Sequence, residues 1–121
     1  MCEDNKICRL TPESDFVDLA VEVFSLLADA TRVKIILSLR DEELSVNHLA
    51  DIVDKSPTSV SQHLARLRMS RMVTTRHEGT KVFYRLTDEH ARRLVIDAVE
   101  QAEHAIGRSH HHVDGDKGEE S

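Results

Sequence analysis

Apolar residues recur at helical spacing in five stretches of the chain, separated by short polar segments. Three of these stretches precede residue 54, and each is preceded by a side chain that suits a helix N-cap. The expected caps and bounds are Ser14 or Asp15 for a first helix ending near Leu27, Asp29 for residues 30–40, and Ser45 for Val46–Val53. The apolar stripe of the first helix is Phe16, Leu19, Ala20, Val23, Phe24 and Leu27. The residues expected to face a core are Val33, Ile36, Leu37 and Leu39 in the second helix and Leu49, Ile52 and Val53 in the third.

The fourth stretch is followed directly by the pattern of a β-hairpin. Ser56 suits an N-cap, and Pro57 suits the first helical position, where a missing N–H costs nothing. Two β-rich runs, Val73–His77 and Thr80–Leu86, then flank Glu78-Gly79, where glycine supplies the positive φ of a tight turn. The sequence therefore predicts a winged helix-turn-helix, a mainly α domain with a small β-hairpin wing (α+β). The side chains of this segment expected in the core are Val60, Leu64, Leu67 and Met72.

The polar side of the fourth helix has the side chains of a DNA-reading surface. Short donors and acceptors cluster near its N-terminus, the end that meets base edges in helix-turn-helix proteins. Residues 55–86 contain seven basic residues and one acidic residue, although the whole chain has a net charge of −6. This local excess predicts a double-stranded DNA partner in spite of the acidic total. The residues predicted to contact DNA are Lys55, Ser56, Thr58, Ser59, Ser61, Gln62, Arg66, Arg76 and Lys81.

A last helix, from about Asp88 to Gly107 with Thr87 as its cap, has a strong apolar stripe. A chain of 121 residues forms one small domain, whose core leaves little for this stripe to cover. Together with the stripe of the first helix, it predicts a homodimer interface. The stripe is Leu94, Val95, Ala98, Val99, Ala102, Ala105 and Ile106. The predicted plan is a flexible arm (1–12), a DNA-binding and dimerisation domain (13–107) and a flexible, histidine-containing tail (108–121).

Several classes of protein are disfavoured by the composition. The chain has no apolar run of the length that spans a membrane and no charged-then-apolar signal segment, so a cytoplasmic location is expected. Cys2 and Cys8 are then expected to be thiols, and their spacing alone does not make a zinc motif. No nucleophile–base pairing or phosphate-binding loop is visible, which argues against an enzyme.

The last helix also has candidate metal ligands. His90, Gln101 and His104 return close to the same helix face, because three turns take about 11 residues and four turns about 14. Asp97 lies two turns after His90, on the same side. If two such helices pair antiparallel across a two-fold axis, His90 of one chain approaches His104 of the other. Glu103 neighbours His104, and the tail histidines at 110–112 can fold back to complete a six-coordinate shell. Imidazole and carboxylate ligands suit zinc, nickel or cobalt. The alternative interpretation is a set of surface histidines on a solvated face.

Three motifs follow one another along the chain: Leu27-Ala-Asp-Ala-Thr-Arg32 with Ile35-Ile-Leu, then Ser59-Val-Ser-Gln-His-Leu-Ala-Arg-Leu, then Gly79-Thr-Lys-Val-Phe-Tyr-Arg-Leu. In these motifs and their order, over about residues 16–106, the chain resembles the ArsR/SmtB family of metal-responsive repressors. The Glu89–His104 stretch looks most like nickel/cobalt-sensing members. The resemblance implies a dimeric winged-helix repressor whose operator DNA is released on metal binding.

The resemblance also bears on the metal ligands. The Cys-x-Cys pair that some members place on the third helix is absent, and Gln101 stands where another class has a histidine. The pattern of the nickel/cobalt sensors implies His90, Glu103, His104, His110 and His111, to which the other class would add Asp88. The expected effector is therefore nickel or cobalt, with zinc as a further candidate. The alternative function is a winged-helix regulator that responds to another signal, such as thiol oxidation at Cys2 or Cys8.

Overall fold

The chain folds into helices and one antiparallel hairpin in the order expected of a winged helix-turn-helix. The computed structural model describes the backbone of residues 10–111 and the side chains of residues 10–107. The elements within that range are α1 (Val17–Leu27), α2 (Ala30–Ser38), α3 (Val46–Val53), α4 (Pro57–Met69), β1 (Val73–Glu78), β2 (Lys81–Leu86) and α5 (Glu89–His111). Helices α3 and α4 are joined by a three-residue turn, and β1 and β2 form the wing, so the predicted fold class is confirmed.

The core lies between α2, α3 and α4 and is closed by the start of β1 and the first turns of α5. Its members are Ile35, Ile36, Leu39, Leu44, Leu49, Ala50, Val53, Val60, Leu64, Leu67, Met72, Val73, Ala91 and Val95. The prediction that Ile52 faces inward is wrong, because its side chain is 55% exposed. The inward face of α3 is centred on Leu49, Ala50 and Val53, and Ile52 lies about 100° around the helix from Val53. Val33 and Leu37, also predicted in the core, pack against it half-buried.

Three predicted N-caps are confirmed by hydrogen bonds. Asp29 Oδ1 accepts from the Arg32 N–H at 3.0 Å, Ser45 Oγ from His48 at 3.3 Å and Ser56 Oγ from Ser59 at 3.1 Å. Each bond satisfies one of the backbone donors that a helix leaves unpaired in its first turn. These caps set where α2, α3 and the recognition helix α4 begin.

The caps of the first and last helices differ from the prediction. Helix α1 begins after Phe16, whose N–H donates to Ser14 Oγ at 3.1 Å, so neither Ser14 nor Asp15 is the N-cap. At α5 the capping side chain is Asp88, whose Oδ1 accepts from the His90 N–H at 2.9 Å. Thr87 is not the N-cap, because α5 begins at Glu89 and Asp88 occupies the cap position. The Thr87 N–H donates to the Met72 carbonyl at 3.0 Å, beside the start of the hairpin.

The turn of the wing lies one residue later than predicted. Glu78 pairs with Lys81 across the hairpin, so the two turn residues are Gly79 and Thr80 rather than Glu78 and Gly79. Gly79 has a φ of +63°, a conformation that glycine adopts without steric cost. Gly79 therefore supplies the positive φ that the sequence predicts, and the strand register makes it the first of the two turn residues.

The prediction that Gly107 ends the last helix is wrong, because α5 continues to His111. A glycine inside a helix costs only about 1 kcal/mol relative to alanine, which does not stop a helix by itself. Residues 108–111 therefore belong to α5 rather than to a flexible tail. Residues 1–9 and 112–121 lie outside the described range, so the division into arm, domain and tail otherwise stays a prediction.

Helices α1 and α5 expose large apolar side chains. Helix α1 contains no buried residue, and Phe24 is 61% exposed, as is Ile106 on α5. A stripe of this kind on a single protomer marks a contact surface. Within residues 10–111, no helix is long and apolar enough to cross a membrane. The other exposed apolar residues of the two helices and the residue before α1 are Phe16, Val17, Leu19, Val21, Leu94 and Val99.

Candidate nucleic-acid interface and metal site

The recognition helix α4 separates a buried face from an open polar face. Val60, Leu64 and Leu67 have no exposed surface, so they define the side of α4 that faces the core. The side chains predicted to contact DNA lie on the other side of α4, in the turn before it (Lys55 and Ser56) and on the wing (Arg76 and Lys81). Of the nine, Lys55, Ser56, Thr58, Ser61, Gln62, Arg66, Arg76 and Lys81 are exposed, and Ser59 is half-buried. Gln62 has two donors and an acceptor at its tip, the equipment for a bidentate contact to a base edge.

The wing is less positively charged than its sequence indicates. Arg76 Nε lies 2.8 Å from Glu43 Oε1, and its Nη1 lies 3.4 Å from Glu78 Oε1. The hydrogen bond to Glu43 is the main cause that raises the pKa of Arg76 above its usual value. Glu43 also lies 4.0 Å from Nη1 of Arg85. Arg76 is predicted to contact DNA, and in this structure its guanidinium is paired with two acidic side chains.

The loop that carries Glu43 is bound to the wing by its backbone. The Leu44 N–H donates to the Tyr84 carbonyl at 3.0 Å, and the Tyr84 N–H donates to the Leu44 carbonyl at 2.8 Å. Two residues before Glu43, Asp41 lies 3.6 Å from Nη2 of Arg92 on α5. This loop therefore contacts both the wing and the first turns of the helix that carries the candidate metal ligands.

Arg32 contacts two other helices, and the sequence does not predict either contact. Its Nε donates to Nδ1 of His63 on α4 at 3.1 Å, and its Nη1 donates to the Leu26 carbonyl on α1 at 3.0 Å. Its backbone N–H is bonded to Asp29, and this bond is the main cause that lowers the pKa of the Asp29 carboxyl. Burial opposes that effect, and the positive charge of Arg32 adds to it. The only sequence feature that points to Arg32 is its place at the end of the motif Leu27-Ala-Asp-Ala-Thr-Arg32.

His90 begins the candidate metal site at the first turn of α5. Its backbone N–H donates to Asp88, and Arg93 Nη2 lies 2.9 Å from its Nδ1. A guanidinium has donors only, so Nδ1 of His90 is the acceptor in this contact. The contact leaves Nε2 as the ring nitrogen that Arg93 does not engage. Asp88 and His90 are thus adjacent, as the predicted ligand set requires.

His104 lies further along α5, on an open groove. The groove is lined by Asp97, Glu100, Gln101, His104 and Ala105 and has a volume of about 590 Å³. Glu103, which was predicted as a ligand, is exposed but does not line it. His90 and His104 are 14 residues apart, which on a continuous helix is about 21 Å. They cannot share one ion within a single chain.

The candidate ligands whose side chains the structure describes do not converge within one protomer. Among the side chains of residues 10–107, no group of three His, Cys, Asp or Glu residues could hold a metal ion together. The side chains of His110 and His111, together with Cys2, Cys8 and His112, lie outside the described residues. The structure thus presents two separate half-sets, Asp88 with His90 and His104 with its acidic neighbours.

Comparisons with known proteins place the chain among bacterial regulators. The family model for "Bacterial regulatory protein, arsR family" matches residues 29–75, from the cap of α2 into β1. The "HTH-type transcriptional regulator KmtR" of Mycobacterium tuberculosis is 62% identical over 99 residues, covering 81% of this chain and 76% of that protein. The "HTH-type transcriptional repressor SmtB" of Mycobacterium tuberculosis is 37% identical over 91 residues, covering 75% and 67%.

A solved structure agrees in architecture. The solution structure of a homodimeric winged helix-turn-helix DNA-binding domain from Mycobacterium bovis, described as a possible ArsR-family transcriptional regulator, aligns with a TM-score of 0.66. It is 29% identical in sequence and covers 79% of this chain and 94% of that domain. That domain is a dimer, which is the assembly expected for the exposed faces of α1 and α5.

Proposed function

The chain belongs to the ArsR/SmtB family of bacterial transcriptional regulators, and from this we propose that it is a dimeric repressor that releases operator DNA on binding a transition metal. The observation that carries the proposal is the exposed polar face of α4 beside a basic wing. Its relatives are named as a transcriptional regulator and a transcriptional repressor, which supports the same role here.

In the proposed complex, the N-terminal half of α4 lies in the major groove. Ser61 and Gln62 face the base edges, while Arg66 and Lys81 contact phosphates on either side. Lys55, Ser56, Thr58 and Ser59 belong to the same end of the helix. Arg76 joins the phosphate contacts when it exchanges Glu43 for DNA, since the charge-assisted bond that it now makes is of the same kind.

The proposed dimer pairs α1 and α5 of one copy with those of a second copy. Phe24 and Ile106 expose most of their side chains in a single protomer, and their burial supplies the association energy. A two-fold axis places the two recognition helices on successive major grooves, about 34 Å apart. The similar domain from Mycobacterium bovis is homodimeric, which supports a dimer here.

The same dimer brings the two halves of the metal site together. Antiparallel α5 helices place Asp88 and His90 of one copy near Glu103 and His104 of the other, so a two-fold axis gives two equivalent sites. The donor set fits a transition metal, because imidazole and carboxylate ligands suit nickel, cobalt and zinc. We favour nickel or cobalt, which take six ligands, with His110 and His111 completing the shell.

The response follows from linkage between the two ligands. A metal that binds the DNA-free dimer more tightly than the DNA-bound dimer must weaken DNA binding by the same factor. Ligands from two α5 helices would fix the relation of the two protomers, and the recognition helices would then no longer fit successive grooves.

The experiment that tests the proposal is fluorescence anisotropy of a labelled duplex that the wild-type protein enriches from a random-sequence pool. Nickel, cobalt or zinc chloride is added to the preformed complex. We expect His90→Ala and His104→Ala to bind the duplex as tightly as the wild type and to lose metal-induced release. His48→Ala is the matched control, since His48 is an exposed histidine on α3, and it should behave as the wild type.

A truncation before residue 109 separates the metals. Without His110 and His111, the protein should lose its response to nickel and cobalt before it loses zinc binding, because zinc is satisfied by four ligands. If His90→Ala still releases DNA at wild-type metal concentrations, the site lies elsewhere, and Cys2 and Cys8 become the leading candidates.

A further inference from the structure

One side chain joins three helices of the protomer. Arg32 belongs to the first turn of α2, donates through Nη1 to the Leu26 carbonyl of α1 and donates through Nε to His63 of α4. The Leu26 carbonyl is one of the last four of its helix, which have no partner within the helix. The positive guanidinium is also favourable at the negative end of α1. Arg32 thereby fastens the recognition helix to the end of the proposed dimerisation helix.

The contact with His63 is directional in both partners. The guanidinium has donors only, so Nδ1 of His63 is the acceptor in this hydrogen bond. The planar fork of Arg32 presents Nε and Nη1 in fixed directions, one to each neighbouring helix. Asp29 further holds the backbone of Arg32 through its N-cap bond. Neither partner is free to move without breaking a bond to another helix.

Apolar packing alone leaves small movements of α4 open. Val60, Leu64 and Leu67 bury the inner face of the helix, but contacts between aliphatic side chains have no preferred direction. His63 follows Gln62 directly in the helix, so a shift at one moves the other. Small displacements of α4 weaken bidentate base contacts, whereas contacts to phosphate tolerate them.

We propose that Arg32 and His63 form a positioning pair, which holds the recognition helix α4 at a set position relative to α1 and so determines operator selectivity. Neither side chain reads DNA itself. The inference rests on the proposed function, because it takes α1 as part of the dimer interface and α4 as the DNA-reading helix. It adds that the position of α1 in the dimer affects the position of the DNA-reading face of α4, because the Arg32 guanidinium contacts both helices.

The test measures binding to two duplexes by anisotropy, the duplex enriched by the wild type and a scrambled duplex of the same length. His63→Leu and Arg32→Met remove one partner each while keeping an apolar side chain in place. We expect each to bind the enriched duplex about tenfold more weakly, the loss of roughly one good base contact. Binding to the scrambled duplex and the slope of affinity with salt concentration should stay unchanged.

A conservative variant and a double variant separate positioning from other roles. His63→Asn keeps an acceptor near the place of Nδ1 and should recover most of the selectivity. The double variant Arg32→Met with His63→Leu should lose no more than either single variant, because both remove the same bond. Circular dichroism and sedimentation of all variants confirm that the compared proteins are folded dimers.

Several outcomes overturn the inference. These are equal losses on both duplexes, losses that multiply in the double variant, failure of His63→Asn to recover, or retained selectivity in Arg32→Met. The last outcome would show that His63 acts alone, as a base contact. Failure of the wild type to enrich any duplex would instead remove the proposed function, and with it the premise of the positioning pair.

Discussion

The DNA-reading region and the dimerisation region of the protomer differ in how complete they are. In α4, Val60, Leu64 and Leu67 have no exposed surface, and a serine cap closes the helix start. In α1 no residue is buried, and Phe24 and Ile106 each expose 61% of their surface. The reading surface is therefore assembled within one chain, whereas the apolar faces of α1 and α5, the proposed dimer interface, are exposed in the single protomer.

The predicted DNA contacts and the candidate metal ligands differ in the same way. Gln62 and Arg66 already share one face of one helix, while His90 and His104 lie about 21 Å apart on α5. A protein organised in this way can fold its reading surface at any concentration and gain its sensing site only on dimerisation. The contrast predicts that mutations in the two regions will have different effects, on folding stability in one and on dimer association in the other.

The largest expected effect comes from the reading region. Leu64→Ala removes a fully buried side chain from the core and should lower the free energy of unfolding by about 2–5 kcal/mol. Urea unfolding followed by circular dichroism measures it, with the exposed Leu10→Ala as the control. A loss below about 1 kcal/mol would mean that the core of α4 is not complete within the protomer.

The counterpart in the dimerisation region is Phe24→Glu. Burying a phenylalanine contributes about 1.5–3 kcal/mol, so each protomer loses at least that much association energy. The dissociation constant of the dimer should rise by about tenfold to a hundredfold for each copy of the substitution. Sedimentation measures it, while helix content stays unchanged. Ile52→Glu, an equally exposed apolar residue on α3, should leave the dimer intact; a matched loss there would remove the distinction between the two surfaces.

Within the reading region, base and phosphate contacts should separate. Gln62→Ala should cost about 1–3 kcal/mol on the enriched duplex and much less on scrambled DNA. Arg66→Ala should weaken binding to both and lower the salt slope by about one unit. Both are measured by anisotropy over a range of salt concentrations. Equal losses on both duplexes for Gln62→Ala would show that this side chain only orients the helix.

A smaller effect is expected at the cap of α2. Asp29→Ala should lower the free energy of unfolding by about 1 kcal/mol at neutral pH, the usual contribution of an N-cap. The pKa of Asp29 is lowered in the folded state, so this contribution is present above the unfolded pKa near 4 and is lost as pH falls through the folded pKa. Urea midpoints at pH 7 and at pH 3 should therefore differ less in Asp29→Ala than in the wild type.

The smallest effect is expected where the two regions meet on the acidic loop. Glu43→Gln removes the negative charge that now pairs with Arg76 and lies near Arg85. DNA binding should become slightly tighter, and its salt slope steeper by up to about one unit, because one more arginine reaches phosphate. Glu42→Gln, on the same loop but without a described ion pair, is the control. Weaker binding by Glu43→Gln would show that Glu43 orients Arg76 for DNA.

Local features of the sequence were sufficient for most of the reading region. The caps Asp29, Ser45 and Ser56 each bond to an N–H three residues later, so both partners lie within one turn of chain. The apolar spacing of α4 likewise repeats over a few residues and predicted its buried side correctly. Fold class, helix order and the exposed face of the recognition helix follow from such short-range patterns.

Only the tertiary structure decided which distant side chains meet. Arg32 with His63 and Arg76 with Glu43 are 31 and 33 residues apart, and no periodicity connects them. The sequence favours Thr87 as the cap of α5, but the helix begins at Glu89 and Asp88 caps it. The sequence also places Ile52 in the core, but the packing of α3 leaves Ile52 exposed. Such contacts depend on how the elements pack in three dimensions. Sequence spacing alone specifies each element and leaves their mutual placement open.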